Sequence, residues 1–147
     1  MKESNHNGKW FRVTLRFWGD NLLVDEVEKE LDIQPDFKGR KGEHINGNPR
    51  YARYSTNGWG WWFTSDTTVN FEDQIGSLLE LLEPKKRALA KILSSSGIQG
   101  ELFLGFSSSN GQGGAHFPSS LLARVAALEL ALNLDLYPPG QAEVETG

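Results

Sequence analysis

Five cationic side chains, Lys38, Arg40, Lys41, Arg50 and Arg53, fall in one segment together with Gly39, Gly42, Gly47 and Pro49. Glu43 is the only acid between Lys38 and Arg53, so the segment carries +4 and leaves −8 on the rest of a chain whose total is −4. A glycine-rich cationic loop can gather a small anion through charge and exposed backbone N–H groups. The competing reading is a solvated loop with no ligand. A phosphate-cradling P-loop is excluded, because G-x-x-x-x-G-K-[ST] is absent.

A second chemistry is written into one strand. Trp10 to Trp18 alternates, with Phe11, Val13, Leu15 and Phe17 on one face and Trp10, Arg12, Thr14, Arg16 and Trp18 on the other. Trp and Arg are the residue types that dominate interface energetics. The segment Gly58-Trp59-Gly60-Trp61-Trp62-Phe63 adds three more tryptophans, with Trp59, Trp61 and Phe63 on one strand face and Trp62 on the other. The face carrying Trp10, Arg12, Arg16, Trp18 and Trp62 is therefore the candidate interaction face. Aromatics packed on arginine stems with no partner are the alternative.

Catalytic constellations are weaker. His6, His44 and His116 show no metal-ligand spacing. Ser107-Ser108-Ser109, His116 and Asp135 only partly imitate a serine triad, and the G-x-S-x-G elbow is missing, so turn-forming serines explain the cluster better. Glu28 and Asp32 are four apart on one helix and read as solubilising charges. No catalytic residue, metal ligand or cofactor is expected.

These groups need elements to hold them. After the first strand, Gly19-Asp20-Asn21 caps a helix with the stripe Leu23, Val27 and Leu31, which stops before Pro35. A long loop follows, ending in a strand over Tyr51–Ser55. Asn57-Gly58 then reads as a tight turn into a strand from Trp59 to Thr64. Asn70 caps a helix with the stripe Phe71, Ile75, Leu78, Leu79 and Leu82; Pro84 breaks it, and Leu89, Ile92 and Leu93 mark a second helix ending at Gly97. A strand at Leu102–Phe106 turns at Asn110-Gly111 and returns through Ala115–Phe117. A helix from Pro118-Ser119-Ser120 carries Leu121, Val125, Leu128 and Leu132, and Leu134–Tyr137 is a last strand.

The pattern predicts an α+β two-layer sandwich: an antiparallel or mixed sheet with helices on one face. The two ends echo each other as strand, helix and short apolar exit, which raises a duplicated ferredoxin-like (split β-α-β) unit as an option. Residues 1–9 and 139–147 are expected to be disordered tails around a single domain at 10–138. The 147 residues suit one domain that buries roughly 68–70% of its unfolded surface.

Composition narrows the function. The pI near 5.4 disfavours a global draw toward nucleic acid or anionic membrane. Absence of cysteine removes disulfides, thiolate metal sites and cysteine nucleophiles. No signal-peptide pattern or long apolar run is present, so the expected location is cytoplasmic.

Phe11-Arg12-Val13-Thr14-Leu15-Arg16-Phe17, then Gly19-Asp20, the helix close Glu30-Leu31-Asp32-Ile33-Gln34-Pro35-Asp36 and Lys38-Gly39 resemble the opening of the bacterial domain-of-unknown-function family numbered 4279. Gly58-Trp59, Glu101-Leu102-Phe103-Leu104 and Leu134-Asp135-Leu136-Tyr137 are similar to its later features, so the resemblance runs from about Trp10 to Tyr137. The Trp-Gly-Trp-Trp cluster is richer in tryptophan than the family pattern. The resemblance implies a small bacterial α+β domain and no established activity.

The favoured reading is a non-catalytic binding or protein-interaction module. It would use the aromatic-arginine face and the basic loop, with a second copy, another protein or a small anion as partner. Two alternatives stay open: a single-stranded nucleic-acid binder, since stacked aromatics and Arg on an open sheet hold single strands, and an enzyme on a small anionic metabolite with His44 or His116 as acid or base.

Overall fold

The computed structural model describes residues 8–138. The tail expected at 139–147, and all but residues 8 and 9 of that expected at 1–9, lie outside the described residues. In chain order the elements are β1 (Trp10–Trp18), α1 (Val24–Leu31), β2 (Phe37–Gly39), a 3-10 turn (Ile45–Gly47), β3 (Gly58–Trp62), α2 (Phe71–Leu82), a 3-10 turn (Glu83–Lys85), α3 (Lys86–Leu93), β4 (Gln99–Ser107), α4 (Ser119–Ala127) and β5 (Ala131–Leu136). The strands form one mixed sheet in the order β2-β3-β1-β4-β5. Strand β1 is central and antiparallel to both neighbours, β2 is antiparallel to β3, and β5 runs parallel to β4. The fold is therefore α+β in two layers, with the helices against one sheet face.

Alternation in the strands decides which face is dry. Val13, Leu15 and Phe17 of β1, Leu102 and Leu104 of β4, and Trp59 of β3 are buried against Val27, Leu31, Ile75, Leu78, Leu79, Leu89 and Val125 from the four helices. Each such side chain contributes about 1.5–3 kcal/mol through the apolar surface it removes from water. Helix α2 starts as its sequence predicts, with the Asn70 side chain accepting from the Asp73 N–H. Pro84 lies in the 3-10 turn that separates α2 from α3.

Five expectations need correction. Leu23 is 67% exposed, because the helix begins at Val24 and its buried stripe is Val24, Val27 and Leu31. The strand on the outer edge of β3, away from β1, is β2 and not Tyr51–Ser55. Asp36, just after Pro35, donates its N–H to Gly60 O (2.8 Å), and its carboxylate accepts from Trp62 N–H (2.6 Å), which sets β2 in place. Asn57-Gly58 is accordingly no hairpin turn. The Asn57 side chain accepts from Lys41 N–H and donates to the carbonyls of Asp20 and Leu22, which ties the long loop to the end of β1. Ala115–Phe117 forms no return strand, since both edges of β4 are occupied by β1 and β5. Leu132, assigned above to the last helix, lies in β5.

The echo between the two ends corresponds to two β-α-β connections of different geometry. The first is split, with β3 lying between β1 and β2; the second joins the adjacent strands β4 and β5.

Candidate functional site

The helix-free face is formed by the other half of each alternation. From β1 it receives Arg12, Thr14, Arg16 and Trp18, from β3 Trp62, and from β4 Phe103 and Gly105. Two segments climb over this floor. The stretch containing Ile45, Arg53, Tyr54 and Ser55 rises on the β2 side, and Tyr137 folds over from the end of β5. Between them lies a groove of about 400 Å³.

Three glycines shape one wall. A Cβ on Gly58 would sit 2.3 Å from the Trp18 ring, one on Gly60 2.0 Å from Phe37, and one on Gly39 2.1 Å from Tyr54. The cross-strand register explains two of these contacts, since Trp18 faces Gly58 and Phe37 faces Gly60. Each ring lies over a glycine because only a missing side chain leaves room for it, the arrangement by which aromatics cover glycines in sheets. Trp18 and Phe37 then meet with centroids 6.0 Å apart. The Gly-Trp-Gly-Trp pattern is thus two-sided: its tryptophans pack toward the helices, and its glycines seat the aromatics of the groove.

The floor is organised around Arg16. Its cross-strand partner Glu101 accepts from Nε at 2.8 Å and also from Nη2. The guanidinium carbon lies 3.8 Å from the Phe103 centroid and 5.3 Å from that of Trp18. A part-buried guanidinium held by one carboxylate and flanked by two rings is fixed in orientation. At the far end Arg12 lies over Trp10 (4.8 Å), and Tyr137 packs on the same indole at 5.0 Å.

The proposed interaction face is therefore only partly open. Trp62 is 46% exposed, Arg12, Arg16 and Trp18 are half-buried, and Trp10 is only 4% exposed. Trp10 is a correction: the chain's own Tyr137 and Arg12 cover it. Tyr54 is likewise buried, and burial first, then the charge of Glu43, pushes its phenol above the ordinary 10. It is a neutral hydrogen-bonding group at physiological pH.

The five loop cations do not converge on one point. Lys38 (2.8 Å) and Arg40 both pair with Asp25 on α1, and Lys41 lies 3.5 Å from Asp20. Arg50 is exposed and its backbone N–H is bound by the Asn48 side chain. Arg53 turns to the groove and donates to the Gly42 carbonyl at 2.7 Å. The loop is a tethered flap, with three of its cations matched by acids of the same chain.

That tether has a pH signature. The Lys38 hydrogen bond holds the Asp25 carboxyl below its ordinary 3.8, and hydrogen bonding from Thr56, then the charge of Lys41, does the same for Asp20. A carboxylate with a depressed folded pKa stabilises fully above its unfolded value and loses that contribution as pH falls through the folded value. The melting temperature is expected to hold from neutral pH to about 5 and to fall below about 3.8, the ordinary carboxylate value. Asp25→Asn should lower the melting temperature at neutral pH and flatten part of the acid decline. Identical pH curves for variant and parent would show that the tether contributes nothing.

The catalytic alternatives gain no geometry. Ser107 Oγ donates to the Pro138 carbonyl, Ser108 Oγ to Asn110, and His116 is exposed on the loop after them. His44 Nδ1 lies 2.9 Å from the Tyr51 carbonyl oxygen. Among the described residues, no group of three His, Cys, Asp or Glu is placed to hold a metal, and no helix is long and apolar enough to cross a membrane.

Sequence reasoning missed Tyr54, Phe37, Phe103 and Tyr137 as groove residues. Phe103 was available, since it alternates with Leu102 and Leu104. Tyr54 and Tyr137 fall in expected strands but lie outside the regular strands, where alternation does not set a side chain's direction.

A family model described as a domain of unknown function (DUF4279) matches residues 9–139. No curated protein and no solved structure gives a significant match.

Proposed function

The chain belongs to the DUF4279 family, and on that footing we propose that it is a non-catalytic binding module whose ligand sits in the groove on the helix-free sheet face. One observation carries this reading. Of the fourteen residues lining the groove, six are aromatic, three are arginines and none is a carboxylate. Concave sites of a few hundred Å³, mostly apolar with a few convergent polar groups, are where proteins hold small ligands. The concavity favours a ligand over a flat interface between two copies, because Tyr54 and Tyr137 stand above the floor. Within the same proposal, β1-α1-β2-β3-α2-β4, in the spatial order β4-β1-β3-β2, reads as a ferredoxin-like unit extended by β5. A bacterial cytoplasmic setting belongs to this proposal as well.

The test is a thermal-shift screen on the parent protein with Trp62→Ala and Arg53→Ala beside it. Both positions are exposed, so both variants should fold. Compounds that raise the parent's melting temperature are expected to do so less in both variants, as linkage requires when part of the site is removed. Stabilisation that persists unchanged in both places the ligand elsewhere and overturns the reading.

A further inference from the structure

We infer that the ligand of this groove is a single flat aromatic anion: one ring system bearing a carboxylate or a phosphate, with its ring on Trp62 and its anionic group toward Arg53. The inference rests on the reading above and adds the ligand's chemistry. Three observations carry it.

The first is the supply of flat surface. Trp62 is the most exposed of the tryptophans described and stands on β3 in the open face. Beside it the Arg16 guanidinium lies against Phe103, held by Glu101. A fixed planar cation and an exposed indole are both stacking platforms for an aromatic ring.

The second is the sign of the charge. Aromatic clusters of this kind also bind quaternary ammonium groups. Here the lining supplies three guanidinium groups and no carboxylate; Arg16 is matched by Glu101 beside the floor, and Arg53 is the one that turns to the groove with its bond on a neutral carbonyl. A cation brought among them would be repelled. Arg53 spends its Gly42 hydrogen bond on a neutral carbonyl, which leaves the guanidinium charge uncompensated by that contact. A guanidinium fork matches the paired oxygens of a carboxylate or phosphate.

The third is size. About 400 Å³ lies near the lower end of the range for small-molecule sites, which accommodates one ring system and its substituent. A longer strand of nucleotides would have to pass the two roofed ends.

The experiment is a titration of the full chain, followed by calorimetry and tryptophan fluorescence. The probes are benzoate, phenyl phosphate and adenosine monophosphate, with benzyl alcohol and adenosine as neutral counterparts, inorganic phosphate as the ring-free anion and benzyltrimethylammonium as the cation. An aromatic anion is expected to bind about tenfold or more tightly than its neutral counterpart, the scale of a charge-assisted contact. It should also outcompete inorganic phosphate. Arg53→Gln should abolish the preference for the anion while leaving ring binding, and Trp62→Ala should do the reverse. Benzoate against phenyl phosphate distinguishes the two anionic groups.

Equal binding of charged and neutral partners, or tighter binding of the cation, overturns the inference. If that binding is still lost in Trp62→Ala, the groove reading survives it. No binding by any of the three aromatic anions also overturns it. A 5′-phosphorylated decanucleotide that binds more than about tenfold tighter than the mononucleotide would make the ligand a strand, with steep salt dependence as its mark.

Discussion

Trp59→Ala is expected to cost about 3–5 kcal/mol, a large part of the roughly 5–15 kcal/mol that holds a domain folded. Trp62→Ala, three residues further along the same strand, is expected to change stability by about 0.5 kcal/mol or less. The side chains have the same chemistry, so the difference lies entirely in what surrounds them. Trp59 is 0% exposed and packs against Phe17 with centroids 5.7 Å apart. Removing it leaves a cavity between β3 and the helices that the core cannot close. Its indole N–H finds no acceptor among the described residues, so the residue is held by shape and area. Trp59→Phe should therefore cost much less than Trp59→Ala, because it also removes an unsatisfied donor. Urea denaturation gives all three values. Equal losses for Trp59→Ala and Trp62→Ala would mean that the two faces of β3 have been assigned wrongly.

Gly60→Ala is the second large effect, expected to destabilise by about 1–3 kcal/mol through overpacking. The new methyl would meet the Phe37 ring at 2.0 Å, and that ring is also packed against Trp18, with centroids 6.0 Å apart. Phe37 must swing away, which displaces β2 and narrows or opens the groove. Ligand binding should weaken along with stability. Gly76→Ala is the control. Gly76 lies inside α2 with nothing within 4 Å of the added carbon, so alanine should stabilise by roughly 0.5–1 kcal/mol from helix propensity and chain entropy. If Gly60→Ala behaves like Gly76→Ala, the seated aromatics do not form a fixed wall.

The contrast between these glycines shows how far the sequence could be read. Alternation in Trp10–Trp18 separated the dry face from the polar one, because every β1 residue pairs with β4, Thr14–Trp18 pair with β3 as well, and the pleat fixes each side chain's direction. The helical stripes of α2 and α3 were legible for the same reason: a local period maps directly onto a buried face. Asn57-Gly58 was misleading. It has the composition of a tight turn, but what it does depends on which segment wins the free edge of β3. Phe37–Gly39 wins that edge, helped by Asp36, and this competition between distant segments leaves no periodic trace.

The basic loop shows the same limit. Its cations were evident as a composition. Their pairing with Asp20 and Asp25 was not, since those acids stand 13 to 21 positions earlier and meet the loop only through the packing of α1. Trp10 was placed on the correct strand face, but Tyr137 covers it from the opposite end of the chain.

By itself the sequence determined the layer architecture, the apolar faces of strands and helices, and the aromatic and arginine character of the second sheet face. These follow from local repeats, because each residue's direction is set by its own few neighbours. Only the tertiary structure decided that this face is a groove, which rings sit over which glycines, and which cations are already matched. Those outcomes depend on contacts between segments far apart in the chain, where shape and charge are compared only after folding has brought them together.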